Sequence, residues 1–230
     1  MASTALITGG TGGLGAAVTR AFLDGGWRVV VPVFARAERD RLPAPARLVL
    51  DAADLSDPES TTAVTALAAG DADAPLRAVV NLVGGFAQGG RVHETPIEDF
   101  EAQLRLNLRP TYLACQAAMP HMLAAGGGAI VCVSSRAALK PFAGAAGYVV
   151  AKAAVLAFVD VLHAEYGGDG IRANAILPSV IDTPANRRSM PDADHSRWVA
   201  PERIAAVVRF LCEDGSVVVG GAHVPVYGRA

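Results

Sequence analysis

Seven short apolar runs, spread from one end of the chain to the other, constrain its fold more than any other sequence feature. Each run is rich in Val, Ile, Leu or Ala, and longer stretches of helical character lie between them. Continuous apolar runs are typical of strands buried on both faces, and their alternation with helices indicates a parallel sheet. The predicted strands are Thr4–Thr8, Arg28–Val33, Arg47–Leu50, Ala78–Asn81, Ala129–Ser134, Ile171–Leu177 and Ala222–Val226.

The connections between these runs carry helix and turn signals. Asp57-Pro58 is typical of an N-cap followed by the first helical residue. Thr95 and Glu98 have the spacing of a capping box, and Pro201–Glu213 is predicted to be another helix. The segment Ala35–Ala46 contains two prolines and is too short for a full helix, so one crossover is expected to be abbreviated. These signals predict a single α/β domain over residues 1–230, with helices on both faces of a doubly wound, seven-stranded parallel sheet (three layers, α/β/α).

Composition and charge exclude several classes of protein. Apolar residues make up 52% of the chain and charged residues 18%, which is unlike a disordered chain. The net charge of −2 leaves no basic excess for nucleic acid, so a small molecule or another protein is the expected partner. The apolar stretches are too short or interrupted to span a bilayer, and no secretory signal is visible, so a cytoplasmic location without membrane contact is predicted.

Cysteine and histidine patterns point to no metal or disulfide chemistry. Cys115, Cys132 and Cys212 are widely spaced among apolar neighbours, which favours reduced core thiols. The five histidines lack metal-ligand spacing. No metal site is therefore predicted.

A glycine-rich turn, Thr8-Gly9-Gly10-Thr11-Gly12-Gly13-Leu14-Gly15, joins the first strand to a helical segment. Glycines allow a close approach of the backbone to a pyrophosphate, and the helix N-terminus attracts the anion. A glycine-rich loop without a ligand is the alternative, but the strand before it and the helix after it favour dinucleotide binding. The predicted contacts are Gly9, Thr11, Gly13, Leu14 and Gly15.

A second group of residues has the character of acid–base machinery. Tyr148 and Lys152 lie four apart in a predicted helix and therefore share a face. A nearby ammonium is expected to lower the pKa of the phenol and make it a workable proton donor and acceptor. Ser135, thirteen residues before Tyr148, follows the fifth strand and is placed to hydrogen-bond a carbonyl, with Ser134 as the competing candidate.

The order and spacing of the glycine turn, Ser135, Tyr148 and Lys152 resemble the classical short-chain dehydrogenase/reductase family over nearly all 230 residues. The resemblance implies a Rossmann-type fold and hydride transfer between NAD(P)H and a carbonyl or alcohol. It implies that Ser135 and Tyr148 polarise the oxygen, that Tyr148 exchanges the proton, and that Lys152 holds the nicotinamide ribose. Asn107 matches the asparagine that anchors a proton-relay water in the family.

The resemblance also implies further cofactor contacts. Ser179 stands where the family has glycine in the stretch Arg172–Ser179, which precedes the nicotinamide side of the site. The remaining implied contacts are Asp54 and Leu55 at the adenine, Asn81 and Gly84 after the fourth strand, and Ile181 and Thr183 at the carboxamide and phosphate.

The end of the second strand bears on the choice of cofactor. No acid stands between Val30 and Arg36, whereas Arg36, Arg39 and Arg41 are available to meet a 2′-phosphate. NADP(H) is therefore the predicted cofactor, with Arg36 as its contact and NAD(H) as the alternative. Gly12 argues against this preference, since many NADP-using relatives carry a base there.

The substrate and the assembly are less constrained by the sequence. A short lid is predicted at about residues 179–200, and Gly84-Gly85-Phe86 and Arg136–Phe142 are predicted as further pocket walls. A small ketone or 3-oxoacyl compound is the expected substrate. A C=N or pteridine-type reductase and a non-catalytic dinucleotide sensor are the alternatives. Apolar helices over Leu104–Leu123 and Tyr148–Tyr166 indicate a homotetramer, or otherwise a dimer.

Overall fold

The computed structural model describes residues 2–42 and 45–229. Its strands are β1 Thr4–Thr8, β2 Arg28–Val33, β3 Leu48–Ala52, β4 Leu76–Asn81, β5 Gly128–Val133, β6 Ile171–Pro178 and β7 His223–Val226. They form one parallel sheet in the order β3-β2-β1-β4-β5-β6-β7. All seven predicted strands are confirmed, and the predicted fold class is confirmed with them.

Helices cover both faces of the sheet. They are α1 Gly15–Asp24, α2 Pro58–Ala69, α3 Ile97–Asn107, α4 Arg109–Ala124, α5 Ala146–Tyr166, α6 Pro184–Ser189 and α7 Pro201–Cys212. Alternate strand residues face opposite layers: Ala5 and Ile7 pack with α1 and α7, whereas Leu6 packs with α2, α4 and α5. Each such fully buried Leu or Ile side chain contributes roughly 1.5–3 kcal/mol, which explains why the strands read as continuous apolar runs.

Two helix-start predictions have different outcomes. Asp57 caps α2 as predicted, since its carboxylate accepts a hydrogen bond from the Ser60 N–H at 2.7 Å. The capping box predicted at Thr95 is wrong, because the Thr95 hydroxyl donates back to the carbonyls of Gly90 and Arg91. The reciprocal contact occurs one turn earlier in a 3₁₀ helix, where the Glu94 carboxylate accepts from the Arg91 N–H at 2.7 Å.

The predicted helix over Leu104–Leu123 is two helices. The break falls at Leu108, between α3 and α4. Pro110 follows in the first turn of α4, and it lacks the N–H that an uninterrupted helix would need there. The predicted abbreviated crossover is confirmed, because a 3₁₀ helix at Arg36–Arg41 is the helical element described between β2 and β3.

One stretch, Ala146–Asp169, is long and apolar enough by composition alone to cross a membrane. It consists of α5 and the turn after it. Ala151, Val155 and Val159 of α5 are buried against the sheet. Packing in the core therefore accounts for part of the apolar composition of this helix.

Candidate active site

The candidate site lies along the carboxyl edge of the sheet, where β1, β4, β5 and β6 end. Open α/β sheets bind ligands at this edge, near the point where strand order reverses. The reversal here falls between β1 and β4, which neighbour each other although β2 and β3 come between them in the chain. The glycine turn and the serine, tyrosine and lysine found in the sequence all reach this edge.

The glycine turn is closed so tightly that two positions exclude any side chain. Gly9 has φ +66°, and a Cβ there would lie 3.1 Å from the Val83 nitrogen at the end of β4. A Cβ on Gly15 would lie only 1.9 Å from the Gly9 carbonyl oxygen. The turn thus brings bare backbone to the N-terminus of α1, as the cradle of a pyrophosphate requires.

The segment predicted to be a lid reaches back over this turn. A Cβ on Gly13 would lie 2.7 Å from the Thr183 methyl carbon, so these two predicted cofactor residues are neighbours. Thr183 is buried and caps α6 by accepting from the Asn186 N–H at 3.2 Å. Ile181 pairs with Val199 in an isolated bridge. The bridge therefore ties the two ends of this segment to each other.

The two candidate serines after β5 have different surroundings. Ser134 is buried, and its hydroxyl donates to the Lys152 carbonyl oxygen at 2.7 Å. The Ser135 hydroxyl accepts from the Ala137 N–H at 3.1 Å and lies beside the Tyr148 hydroxyl, whose pKa it lowers. The structure therefore brings Ser135, and not Ser134, to the phenol of Tyr148.

The electrostatics of Tyr148 differ from the sequence-based expectation. Burial raises the pKa of Tyr148, and the neighbouring Ser135 hydroxyl offsets this only in part. The predicted lowering by Lys152 is wrong, because the ammonium lies 5.9 Å from the ring centroid and donates to the Val133 carbonyl at 3.0 Å. Burial also lowers the pKa of Lys152 to about 8. Tyr148 is thus a protonated donor at neutral pH.

Asn107 and Lys152 converge on Gly84. A Cβ on Gly84 would lie 2.6 Å from Asn107 Oδ1 and 3.1 Å from Lys152 Nζ. Asn107 is buried and held by Gly85, whose N–H donates to Oδ1 at 3.1 Å and whose carbonyl accepts from Nδ2 at 3.1 Å. The missing side chain of Gly84 keeps open the space that joins the asparagine to the lysine.

Asn81 is not directed into the cleft. Its Nδ2 donates to the sulfurs of Cys115 at 3.3 Å and Cys132 at 3.6 Å. Its Oδ1 has no hydrogen-bond partner among the described residues. The side chain therefore points into the core between β4, β5 and α4.

At the adenine side, Asp54 and Leu55 follow β3 at the same edge. Asp54 is exposed, and hydrogen bonds from the Ser56 hydroxyl at 2.7 Å and its N–H at 2.8 Å lower the pKa of this carboxyl. Leu55 is buried. The Arg36 side chain lies outside what the structure describes, so its predicted contact stays a prediction.

One residue at this edge was not foreseen. Glu38, in the 3₁₀ helix after β2, accepts from the Thr11 hydroxyl at 3.2 Å and from the Phe34 N–H at 3.4 Å. The available signal was its position four residues after Phe34, since a tight helical turn returns such a residue to the strand end. Glu38 brings a carboxylate against the glycine turn.

Aromatic side chains form the open wall beside Tyr148. The ring of Phe86 lies edge-on to Tyr148 with centroids 5.1 Å apart, and Phe142 lies 6.1 Å from Phe86. Both phenylalanines are about half exposed. A cavity of about 340 Å³ near Tyr148 is lined by residues that include Gln88, Gln103 and Tyr148. Phe86 and Phe142 belong to the predicted pocket walls but do not line this cavity, so the predicted pocket stays a prediction.

Comparison with known proteins decides the family. Residues 3–194 match the model of the short chain dehydrogenase family. The chain belongs to this family. The short-chain dehydrogenase is 32% identical to 2-(R)-hydroxypropyl-CoM dehydrogenase of Xanthobacter autotrophicus, over 99% of this chain and 98% of that protein. It is 33% identical to D-threitol dehydrogenase of Mycolicibacterium smegmatis, over 97% of this chain and 91% of that protein.

A solved structure of ElxO with NADP bound superposes on this short-chain dehydrogenase with a TM-score of 0.92. It is 24% identical and covers 99% of this chain and 98% of that chain. At this identity the likeness shows the fold. The chain is therefore an oxidoreductase of this family. The named relatives are alcohol dehydrogenases, not pteridine or C=N reductases.

The predicted lid segment of the short-chain dehydrogenase contains an internal ion pair. Arg187 forms a bidentate ion pair with Asp182, with one N–O distance of 2.8 Å. Ser179, which replaces the family glycine, donates to the Tyr227 carbonyl at 2.9 Å and ties β6 to the C-terminal segment. Among the described residues no non-glycine has positive φ, so Ser179 fits its turn without strain.

Proposed function

We propose that this short-chain dehydrogenase interconverts a secondary alcohol and its ketone, with Tyr148 as the acid and base. The observation that carries the proposal is the convergence of the Ser135 and Tyr148 hydroxyls at the carboxyl edge of the sheet, beside Lys152 and Asn107. The cofactor is a nicotinamide dinucleotide, NADP(H) or NAD(H), which supplies or accepts the hydride when bound.

The residues present fit that cofactor. The turn from Gly9 to Gly15 offers bare backbone for the pyrophosphate, and Thr183 on the lid faces it across Gly13. We assign the pyrophosphate to Gly9, Thr11, Gly13, Leu14 and Gly15. The other assigned contacts are Asp54 and Leu55 for the adenine, Ile181 and Thr183 for the nicotinamide side, Tyr148 and Lys152 for its ribose, and the backbone at Asn81 and Gly84 beneath it.

Proton transfer follows from the protonation states of the site. Because burial raises the pKa of Tyr148, the phenol is protonated at neutral pH and donates to the substrate oxygen during reduction. Ser135 holds the same oxygen and stabilises the charge that develops on it. Lys152 and Asn107, which converge at Gly84, return the proton to Tyr148 by way of water.

The aromatic wall supports a ketone with an apolar substituent. Phe86 and Phe142 present exposed rings to the space beside Tyr148. The ion pair with Asp182 neutralises Arg187, which disfavours a strongly anionic substrate at that point of the lid. A small alicyclic or short-chain hydroxy compound is therefore preferred over a 3-oxoacyl compound on a charged carrier.

A cofactor-coupled screen tests this function. Secondary alcohols and ketones, 3-oxoacyl thioesters, imines and pterins are offered with each dinucleotide, and the absorbance of the reduced nicotinamide is followed. Turnover of small neutral alcohols or ketones is expected. Turnover of imines or pterins alone would contradict the proposal, and a chain that binds dinucleotide yet turns over none of the panel would favour the sensor alternative.

Further proposals concern organisation. We propose that residues 1–230 act as one unit with a lid at about 179–200 over the cofactor. We also propose a homotetramer, because Tyr112 and Phe158 pair on the outer faces of α4 and α5, with ring centroids 5.5 Å apart. They line a groove of about 410 Å³. A cytoplasmic location stays a prediction.

A further inference from the structure

The end of β2 lacks the polar side chain that usually reads the adenosine ribose. Val33, the last residue of the strand, is buried, and Phe34 after it is 78% exposed. In dinucleotide-binding folds an acid at this place binds the ribose 2′-OH, whereas a base accommodates a 2′-phosphate. Neither residue can do either task, so the choice of cofactor must be made by another side chain.

Glu38 brings a carboxylate to this place from outside the strand. The 3₁₀ helix Arg36–Arg41 turns the chain back, so that one oxygen of Glu38 lies 3.2 Å from the Thr11 hydroxyl and 3.4 Å from the Phe34 nitrogen. Thr11 belongs to the pyrophosphate turn, and Phe34 carries the first N–H beyond β2. The carboxylate therefore lies between the two structural features that bracket the ribose.

We propose that Glu38 reads the adenosine ribose and makes this enzyme prefer NAD(H) to NADP(H). The inference rests on the proposed dinucleotide-dependent function and deepens it. A carboxylate accepts hydrogen bonds and so pairs with the 2′- and 3′-hydroxyls of NAD(H). A 2′-phosphate at the same place adds negative charge and has no proton to share at neutral pH, so it is repelled.

The charged neighbours of Glu38 define the competing outcome. Arg39 and Asp40 lie on the same short helix and are exposed. Arg36 and Arg41 also belong to it, but the structure does not describe their side chains. If Arg36 pairs with a 2′-phosphate, as the sequence suggests, NADP(H) gains a partner that offsets Glu38. The preference of the wild-type enzyme therefore decides between these two residues.

Calorimetric titration of the full chain with NADH and NADPH tests the proposal without knowledge of the substrate. The wild type is expected to bind NADH about tenfold or more tightly than NADPH, as for one charge-assisted hydrogen bond gained or lost. Glu38→Gln keeps the size of the side chain and one acceptor oxygen but removes the charge. It should therefore reduce the ratio of the NADPH and NADH dissociation constants, mainly because NADPH binds more tightly. Asp40→Asn, a matched loss of one acid on the same helix, should keep the ratio of the two dissociation constants.

Several results would overturn the proposal. Tighter binding of NADPH by the wild type, lost in Arg36→Ala, would assign the choice to Arg36; this arm does not depend on the folding of Glu38→Gln. Equal weakening of both cofactors in Glu38→Gln would make Glu38 a support of the turn only. Absence of binding of either cofactor to folded wild-type protein would overturn the proposed function itself, which distinguishes that failure from a wrong preference.

Discussion

Gly84→Ala probes the link between Asn107 and Lys152. The new methyl carbon would lie 2.6 Å from Asn107 Oδ1 and 3.1 Å from Lys152 Nζ. Ordinary contacts begin near 3.4 Å, so the Asn107 oxygen must move by about 0.8 Å or the backbone of Gly84 must shift by as much. The Asn107 amide is fixed by two hydrogen bonds to the Gly85 backbone and cannot simply turn away. The new methyl group therefore disturbs the space between Asn107 and Lys152 through which the proton is proposed to pass.

A displacement of this size is costly for catalysis but tolerable for folding. Misplacement of a catalytic group by about 1 Å costs on the order of 100-fold in rate. We therefore expect kcat to fall by about that factor, and overpacking to cost about 1–3 kcal/mol of stability. The dissociation constant of the cofactor should rise by a smaller factor than kcat falls, because the glycine turn is untouched and only the contacts near Gly84 and Lys152 are disturbed.

The assay compares kcat, cofactor affinity and melting temperature with those of Gly85→Ala. A Cβ on Gly85 meets only the tip of Leu106, at 2.8 Å, and Leu106 is partly exposed and free to turn away. Gly85→Ala should therefore keep most of the turnover while adding the same methyl group one residue further on. If Gly84→Ala keeps the wild-type kcat, or if both variants lose it equally, the proposed role of the Asn107–Lys152 space is wrong.

Three further predictions concern pH, stability and assembly. Because burial raises the pKa of Tyr148 above its ordinary value of 10, kcat for alcohol oxidation should keep rising with pH toward that value, and a plateau at neutral pH would contradict this assignment. Lys152 has its pKa lowered from 10.5 to about 8, so the unfolded state binds more protons between those values and the free energy of unfolding should rise with pH there, by roughly 3 kcal/mol in all. Chemical denaturation at several pH values should show this rise in the wild type and not in Lys152→Met. If the free energy of unfolding rises equally with pH in both proteins, the lowered pKa of Lys152 is refuted. Light scattering should give the mass of a tetramer for the wild type and a smaller mass for Phe158→Glu, whereas a monomeric wild type would exclude the proposed assembly.

The strands could be predicted because a strand that is buried on both faces needs apolar side chains at every position. Residues such as Leu6 and Ile7 serve opposite helix layers, so neither can be polar and the run stays unbroken. The glycine turn could also be predicted, since the positive φ of Gly9 and the close contact at Gly15 both favour glycine. Steric requirements of this kind determine the residue type at each position.

Features that depend on where a polar side chain turns were not predictable in the same way. Thr95 has a capping sequence, but its hydroxyl donates to backbone carbonyls that precede it in the chain. The capping contact is instead made by the Glu94 carboxylate, which accepts from the Arg91 N–H. Ser134 and Ser135 are chemically identical, and only the contact of Ser134 with the α5 backbone separates them. Glu38 lies beyond the strand end, and a short 3₁₀ turn determines where it points.

The sign of the Tyr148 shift shows a second limit. Spacing places Tyr148 and Lys152 on one face of α5, and proximity alone predicts a lowered phenol pKa. The structure adds burial, which affects both groups and cannot be inferred from a spacing of four. The direction of the pKa shifts could therefore be found only from the packed structure, whereas the identity of the two residues could be predicted from the sequence.

The central claim is that the Tyr148 hydroxyl is the proton donor and acceptor of the reaction. Tyr148→Phe removes that oxygen and keeps the ring that packs against Phe86. With an established substrate, single-turnover kinetics should show hydride transfer reduced to the background rate, while titration shows cofactor affinity close to that of the wild type. Substantially unchanged hydride transfer in Tyr148→Phe would contradict the account.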